Sequence, residues 1–287
     1  MASRPHYSAE ELERQYDVTI GVDDVEAIQQ GYREASDAVA AAGRGRLDLA
    51  YGPDPLQRLD LFPAGGSAPA PLMVYIHGGY WVGGDKIGRR FPAPVYAAAG
   101  IAWAAINYRL APGCTMDEIV ADMRGALAWL HRHAADHGID PDRIHVAGSS
   151  AGGHLTGMAL APGWHAACGV PEDLVKGACP MSGLFDLAPM RITSHRESLA
   201  MDAGTAARNS PVLHPPAAPL PVVVAWGARE SAEFRRQSED YAAALEAAGC
   251  EVVLLAAGGH DHFSIMGDMA RPDTPLGGAM LGLVRAG

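Results

Sequence analysis

At 287 residues, with 48% hydrophobic and 19% charged side chains, the chain has enough apolar material for a large core and no sign of global disorder. Its 22 basic residues stand against 33 acidic ones, a net charge of −11, and no Lys/Arg run exceeds two, which argues against nucleic acid or an anionic membrane as partner. The longest apolar stretch, around Val95 to Ile106, is broken by Gly100 and too short to span a bilayer; Met1 to His6 carry no signal-like apolar region and the four cysteines form no C-x-x-C, so a soluble cytoplasmic protein with free thiols is expected.

Ser8-Ala9-Glu10-Glu11 has capping-box spacing and predicts a short helix to about Tyr16. A second helix is expected after Asp23 or Asp24, with Val25, Ile28, Tyr32, Ala35, Val39 and Ala42 as its apolar stripe and Gly43 as its stop. Residues 1–45 thus read as a helical arm on one domain that spans residues 1–287. Leu47 to Tyr51 and Arg58 to Phe62 then alternate as a half-exposed antiparallel pair does. After turn-rich Pro63 to Pro71, Leu72 to Ile76 and Ile101 to Tyr108 are continuous apolar runs, the pattern of strands buried on both faces, with a helix near Pro94 to Ala99 between them.

Asp117 to His137 predicts a long helix with Ile119, Met123, Ala126, Leu127 and Leu130 inward, ended by Gly138. Arg143 to Ala147 reads as a strand, and Leu155, Met158, Ala159 and Leu160 recur at helical spacing until Pro162. Lys176 to Met181 and Leu220 to Trp226 are further strands, Ser231 to Ala248 a helix closed by Gly249, and Glu251 to Ala256 the last strand. Strands alternating with helices after an antiparallel start indicate an α/β fold with a mostly parallel sheet and helices on both faces. Residues 187–219, broken by Pro189, Pro211, Pro215, Pro216 and Pro219, show no strand and read as a cap or lid.

Between the Arg143 strand and its helix lies Gly148-Ser149-Ser150-Ala151-Gly152, a G-x-S-x-G pentapeptide. A serine on such a turn is lifted off the sheet beside a helix N-terminus, where backbone N–H groups can hold an anion. In a chain with 34 glycines the match alone is weak, and its weight comes from what surrounds it. Only Ser150 has glycines at both −2 and +2, which sets Ser149 aside. An activated serine needs a base, a group that orients the base, and donors for the oxyanion.

Donors are offered by His77-Gly78-Gly79-Tyr80-Trp81, directly after a buried strand, with the amides of Gly79 and Tyr80 ahead of Gly78, and by the amide of Ala151. The base is expected in Gly258-Gly259-His260-Asp261-His262-Phe263, just past the last strand, with His262 first and His260 in reserve. A His-x-His pair also suggests a metal, but no third ligand stands at metal-site spacing, so neither metal nor other cofactor is expected. Glu230 is the first acid after the strand Leu220 to Trp226 and is preferred to Asp186, Glu239 and Asp240 as the orienting carboxylate.

The nucleophile–acid–base order Ser150, Glu230, His262 is that of α/β-hydrolases. More narrowly, the chain resembles the arylformamidase (kynurenine formamidase) branch, close to the hormone-sensitive-lipase-like esterases. Glu11 to Tyr16, Tyr51-Gly52 with Leu59-Asp60-Leu61, the H-G-G-x-W motif at His77 to Trp81, Gly148 to Leu155, Met181 to Leu187, Ser210-Pro211, Glu230 to Ser238 and Asp261-His262-Phe263 carry the likeness. The family's acid is usually aspartate, where this chain has Glu230.

The resemblance implies a serine hydrolase that transfers a small acyl group through a covalent acyl-enzyme, with a formyl anilide such as N-formylkynurenine as substrate. A carboxylesterase on short-chain or aryl esters would need the same three residues. For an aryl group, Tyr80, Trp81, Trp164 and Phe185 offer aromatic walls; the other reading of each is ordinary core packing. The expected partner is thus a small-molecule acyl compound, and self-association into a homodimer stays open.

Overall fold

The computed structural model describes residues 7–66 and 68–286; the N-terminal stretch Met1 to His6, read above for targeting, lies outside them. Two helices come first, α1 (Ala9–Gln15) and α2 (Val25–Ala41). The capping box forms as spaced: the Ser8 hydroxyl accepts from the Glu11 N–H at 3.2 Å and Glu11 Oε2 accepts from the Ser8 N–H at 2.8 Å. The stripe expected on α2 is only partly right, since Ala35 and Ala42 are exposed and the fully buried residue is Ser36. Its hydroxyl accepts from the N–H groups of Arg90 and Phe91, so a polar tie adds to the apolar contacts of Tyr32 and Val39 in seating the helix.

Eight strands follow: β1 (Arg46–Ala50), β2 (Arg58–Phe62), β3 (Ala70–Ile76), β4 (Ala102–Ile106), β5 (Ile139–Ser149), β6 (Val175–Met181), β7 (Pro221–Gly227) and β8 (Glu251–Ala257). They make one sheet in the order β1-β2-β4-β3-β5-β6-β7-β8, antiparallel at β1–β2 and β2–β4 and parallel from β4 to β8. With the helices around it, this is the α/β-hydrolase fold. β3 and β4 are buried throughout, as their unbroken apolar runs require. β3 pairs with β5 so that Ile76 lies opposite Gly148, and β5 pairs with β6 so that Ser149 lies opposite Met181. The sheet thereby aligns three strand ends at one edge.

The connections supply α3 (Ala93–Ala98), α4 (Met116–Arg132), α5 (Ala151–Leu160), α6 (His165–Cys168), α7 (Arg196–Leu199), α8 (Ala203–Arg208), α9 (Ala232–Ala247) and α10 (Pro275–Ala286). The helix predicted from Asp117 to His137 ends at Arg132; a 3-10 turn at Ala135–His137 follows, and Gly138 takes the left-handed conformation at φ 66°. α10 escaped the sequence reading because Gly277, Gly278 and Gly282 dilute its helical signal. Residues 187–219 hold α7, α8 and short 3-10 turns and no strand. No helix among the described residues is long and apolar enough to cross a membrane.

Candidate active site

Ser150 is the junction between β5 and α5, at φ 60° and ψ −121°. A non-glycine residue held there stores on the order of 1–3 kcal/mol of backbone strain. Its N–H donates to the Met181 carbonyl at 2.9 Å and its own carbonyl accepts from the His154 N–H at 3.0 Å, so β6 and α5 hold the turn from both sides. The residue is 6% exposed and lines a cavity of about 600 Å³.

The loop after β3 meets this turn closely. A Cβ on Gly78 would fall 2.7 Å from the Ser149 carbonyl oxygen and 3.0 Å from Ser150 Cβ, so only glycine permits the approach. Gly79 (φ 116°), Tyr80 (φ 49°) and Trp81 (φ 60°) then run through left-handed backbone. Among the described residues the N–H groups of Gly79, Tyr80 and Ala151 meet no protein acceptor. Gly78, Gly79 and Tyr80 line the cavity with Ser150, and Ala151 opens α5, where first-turn N–H groups have no acceptor within the helix.

His262 comes from the loop after β8 and lines the same cavity, 6% exposed. Its Nδ1 lies 3.2 Å from Glu230 Oε2. A carboxylate can only accept, so Nδ1 carries the proton, and in the neutral ring Nε2 is the acceptor. The Glu230 side chain is 1% exposed and takes two more donors on Oε1: the Gly227 N–H at 2.8 Å and the Ser182 hydroxyl at 2.5 Å. The Phe234 ring packs 4.6 Å from the imidazole, centroid to centroid. Among the described residues no hydrogen bond joins Ser150 to His262; what they share is the cavity wall. Such contacts are often long until a substrate draws them together.

The reserve histidine sits elsewhere. His260 Nε2 lies 3.4 Å from Asp268 and Nδ1 lies 3.3 Å from the Ser264 hydroxyl, and the residue does not line the cavity. Asp186, Glu239 and Asp240 are likewise absent from its wall, Glu239 and Asp240 being paired with Arg235 and Arg236 along α9.

Of the four expected aromatic walls, only Tyr80 lines the cavity. Trp81 is fully buried, and its Nε1–H donates to His154 Nδ1 at 3.1 Å, while His154 Nε2–H donates to the Asn209 carbonyl at 2.7 Å. Burial depresses the His154 pKa to about 4, which keeps the ring neutral and able to accept from the indole. Trp81 thus anchors the strained loop to α5. Trp164 donates to the Ala159 carbonyl at 3.2 Å, and Phe185 stacks on Tyr241 at 4.2 Å; both belong to the core.

Sequence reasoning missed two contributors. Ser182, at the end of β6 with φ 46°, reaches Glu230 although a lone serine has no local signature. The second is the arm: Val18, Gln29 and Arg33 form part of the cavity wall, whereas none of its lining comes from residues 187–219. The arm is held in place by side-chain bonds. The Tyr16 hydroxyl donates to Glu233 Oε2 at 2.8 Å and accepts from Gln237 Nε2 at 2.9 Å, and the Tyr16 carbonyl accepts from the Tyr80 hydroxyl. Tyr80 also stacks on His195 at 3.9 Å, which ties the 187–219 segment to the same loop.

Comparison with known proteins places this chain among hydrolases. The BD-FAE family model matches residues 59–168. Kynurenine formamidase of Salmo salar is 32% identical over 281 residues, 93% of each chain, and that of Danio rerio is 32% identical over 272 residues, 90% of each. Esterase LipQ of Mycobacterium tuberculosis is 29% identical over 73% of this chain and 54% of its own. Among solved structures, a candidate thioesterase from Silicibacter sp. TM1040 superposes with a TM-score of 0.82 at 28% identity, covering 96% of this chain and 99% of that one. The carboxylesterase EstE1 from a metagenomic library does so at 0.66 and 24% identity, over 98% and 96%, a likeness of fold.

Proposed function

Because this chain belongs to the kynurenine formamidase family of α/β-hydrolase enzymes, we propose that it cleaves N-formyl anilides of the N-formylkynurenine type through Ser150, His262 and Glu230. The observation that carries the proposal is that His262, paired with the buried Glu230 behind it, lines one cavity with a serine on a strained strand-to-helix turn. His262 Nε2 takes the Ser150 proton as Oγ attacks the formyl carbon. Glu230 keeps the imidazole in the required tautomer and stabilises the imidazolium. The amides of Gly79, Tyr80 and Ala151 hold the oxyanion, each worth ~3 kcal/mol in the transition state, with Gly78 serving chiefly to let the loop come close.

Collapse of the tetrahedral intermediate breaks the C–N bond, and the imidazolium gives its proton to the departing arylamine. Water, deprotonated by the same imidazole, then attacks the formyl-serine ester and releases formate and free Ser150. The arm, rather than residues 187–219, covers the leaving group, since Val18, Gln29 and Arg33 stand on the cavity wall.

A carboxylesterase would use the same groups, and the esterase among the relatives keeps that reading in view. Turnover of a formyl anilide and of an aryl acetate by one preparation separates the two. Higher kcat/KM on the formyl anilide is expected. Good ester hydrolysis beside negligible formamide cleavage would assign the site to esters instead.

A further inference from the structure

The loop that the proposed mechanism uses for the oxyanion is strained where no glycine relieves it. Tyr80 (φ 49°) and Trp81 (φ 60°) carry full side chains in left-handed backbone. Such angles are costly and persist only where the surroundings over-determine them. Here the surroundings reach the loop through its side chains. Tyr80 is held by the arm and by the 187–219 segment, its hydroxyl on the Tyr16 carbonyl and its ring on His195. Trp81 is fully buried, and its indole N–H donates to His154 Nδ1 at 3.1 Å.

His154 stands in the first turn of α5, and its backbone N–H donates to the Ser150 carbonyl at 3.0 Å. Its ring is fully buried and does not line the cavity. A neutral imidazole has one acceptor and one donor, and both are committed: Nδ1 to Trp81 and Nε2–H to the Asn209 carbonyl at 2.7 Å. Asn209 ends α8 and is itself buried, with Nδ2 donating to Asp117 Oδ1 at 2.7 Å and to the Thr205 carbonyl at 2.9 Å. Arg208 grips both oxygens of the same Asp117, with Nη2 at 2.6 Å. Just beyond, a Cβ on Gly157 of α5 would fall 2.7 Å from Pro211 Cβ, so this end of the segment sits directly on α5. An unbroken series of bonds thus runs from the first turn of α4 through the 187–219 segment to the strained loop. Nothing in the proposed hydrolysis uses it.

We propose that His154 is a positioning residue: by holding Trp81 from one nitrogen and Asn209 from the other, it lets the 187–219 segment fix the aim of the Gly79 and Tyr80 amides without touching the substrate. This rests on the hydrolase reading above, and the test keeps the two apart. The probes are an aryl trifluoromethyl ketone and the matching arylamine product. Ser150 Oγ adds to the ketone carbon, its proton passes to His262, and the carbonyl oxygen becomes the oxyanion; the amine forms no such anion. W81F and H154L should each lower kcat and weaken ketone inhibition by about tenfold or more, while KM and amine binding stay within about twofold. The double variant should be no worse than either single one, because the two changes break one bond. H154Q, whose amide supplies an acceptor and a donor, should recover part of the loss. Asp117→Ala, at an exposed residue outside the cavity, should shift the ketone-to-amine ratio the same way by about threefold.

Variants that weaken ketone and amine alike, or that leave their ratio where wild type has it, overturn the positioning role while the hydrolase reading stands. A wild-type protein that binds no ketone and turns over no acyl compound sinks both. Should H154L not fold, W81F and Asp117→Ala still decide, the first keeping an aromatic ring in place and the second lying on the surface.

Discussion

At the scale of single residues, the proposed acid–base pair is built by more than its two members. Glu230 accepts from Ser182, from the Gly227 backbone and from His262, and the first two pin the carboxylate before it can orient the third. Ser182→Ala is expected to lower kcat about tenfold with little change in KM, because a charge-assisted hydrogen bond on Glu230 is lost while the cavity wall is not. Steady-state kinetics check this, and a variant with unchanged kcat would remove Ser182 from the account. That Glu230 would meet His262, and that Ser150 would share a cavity wall with that histidine, was legible in the sequence because each sits at a point where a strand gives way to a loop or helix. Ser182 was not, since its partner is 48 positions away in the chain. Trp81, Trp164 and Phe185 do not line the cavity for a related reason: ring size says how much a side chain buries, and nothing about which way it points. Trp81 follows two residues of left-handed backbone, which turns it inward to His154.

At the scale of elements, the eight strands were all anticipated with shifts of a few residues at their ends, as were the longer helices except α10. What local pattern could not show was where the arm docks. α1 and α2 are seated by polar ties, Tyr16 to Glu233 and Gln237, Tyr32 to the Phe263 carbonyl at 3.0 Å, and Ser36 to the Arg90 and Phe91 amides. These ties join residues far apart in the chain and add to the apolar packing of Leu12, Tyr32 and Val39, so the helical stripe alone does not give the docking site. Tyr16→Phe should cost about 1–3 kcal/mol by urea unfolding, because Glu233 and Gln237 are both buried and lose a partner. The same variant should raise KM, as the arm carries Val18, Gln29 and Arg33 on the cavity wall. Loss of stability with KM unmoved would mean that the arm braces the fold without shaping the site.

At the scale of the whole molecule, His77, His145 and His154 are buried, and burial depresses each pKa to about 4. Below the ordinary histidine value near 6.5 the unfolded chain takes up protons that the folded chain refuses. Stability therefore rises with pH across this window and falls on acidification, with a slope approaching about 1.4 kcal/mol per pH unit for each histidine. Urea midpoints between pH 6.5 and 5, above the range of ordinary carboxylates, should fall steadily; a flat profile would show that these rings are not held neutral.

The arrangement as a whole comes down to whether the sheet edge delivers an activated nucleophile at Ser150. Mass spectrometry of the intact protein after treatment with a fluorophosphonate asks that directly. One adduct per chain, mapped to the Ser150 peptide and formed much more slowly in His262→Ala, is the expected result. A correctly folded wild-type protein that stays unlabelled, or one labelled equally fast without the imidazole, would contradict it.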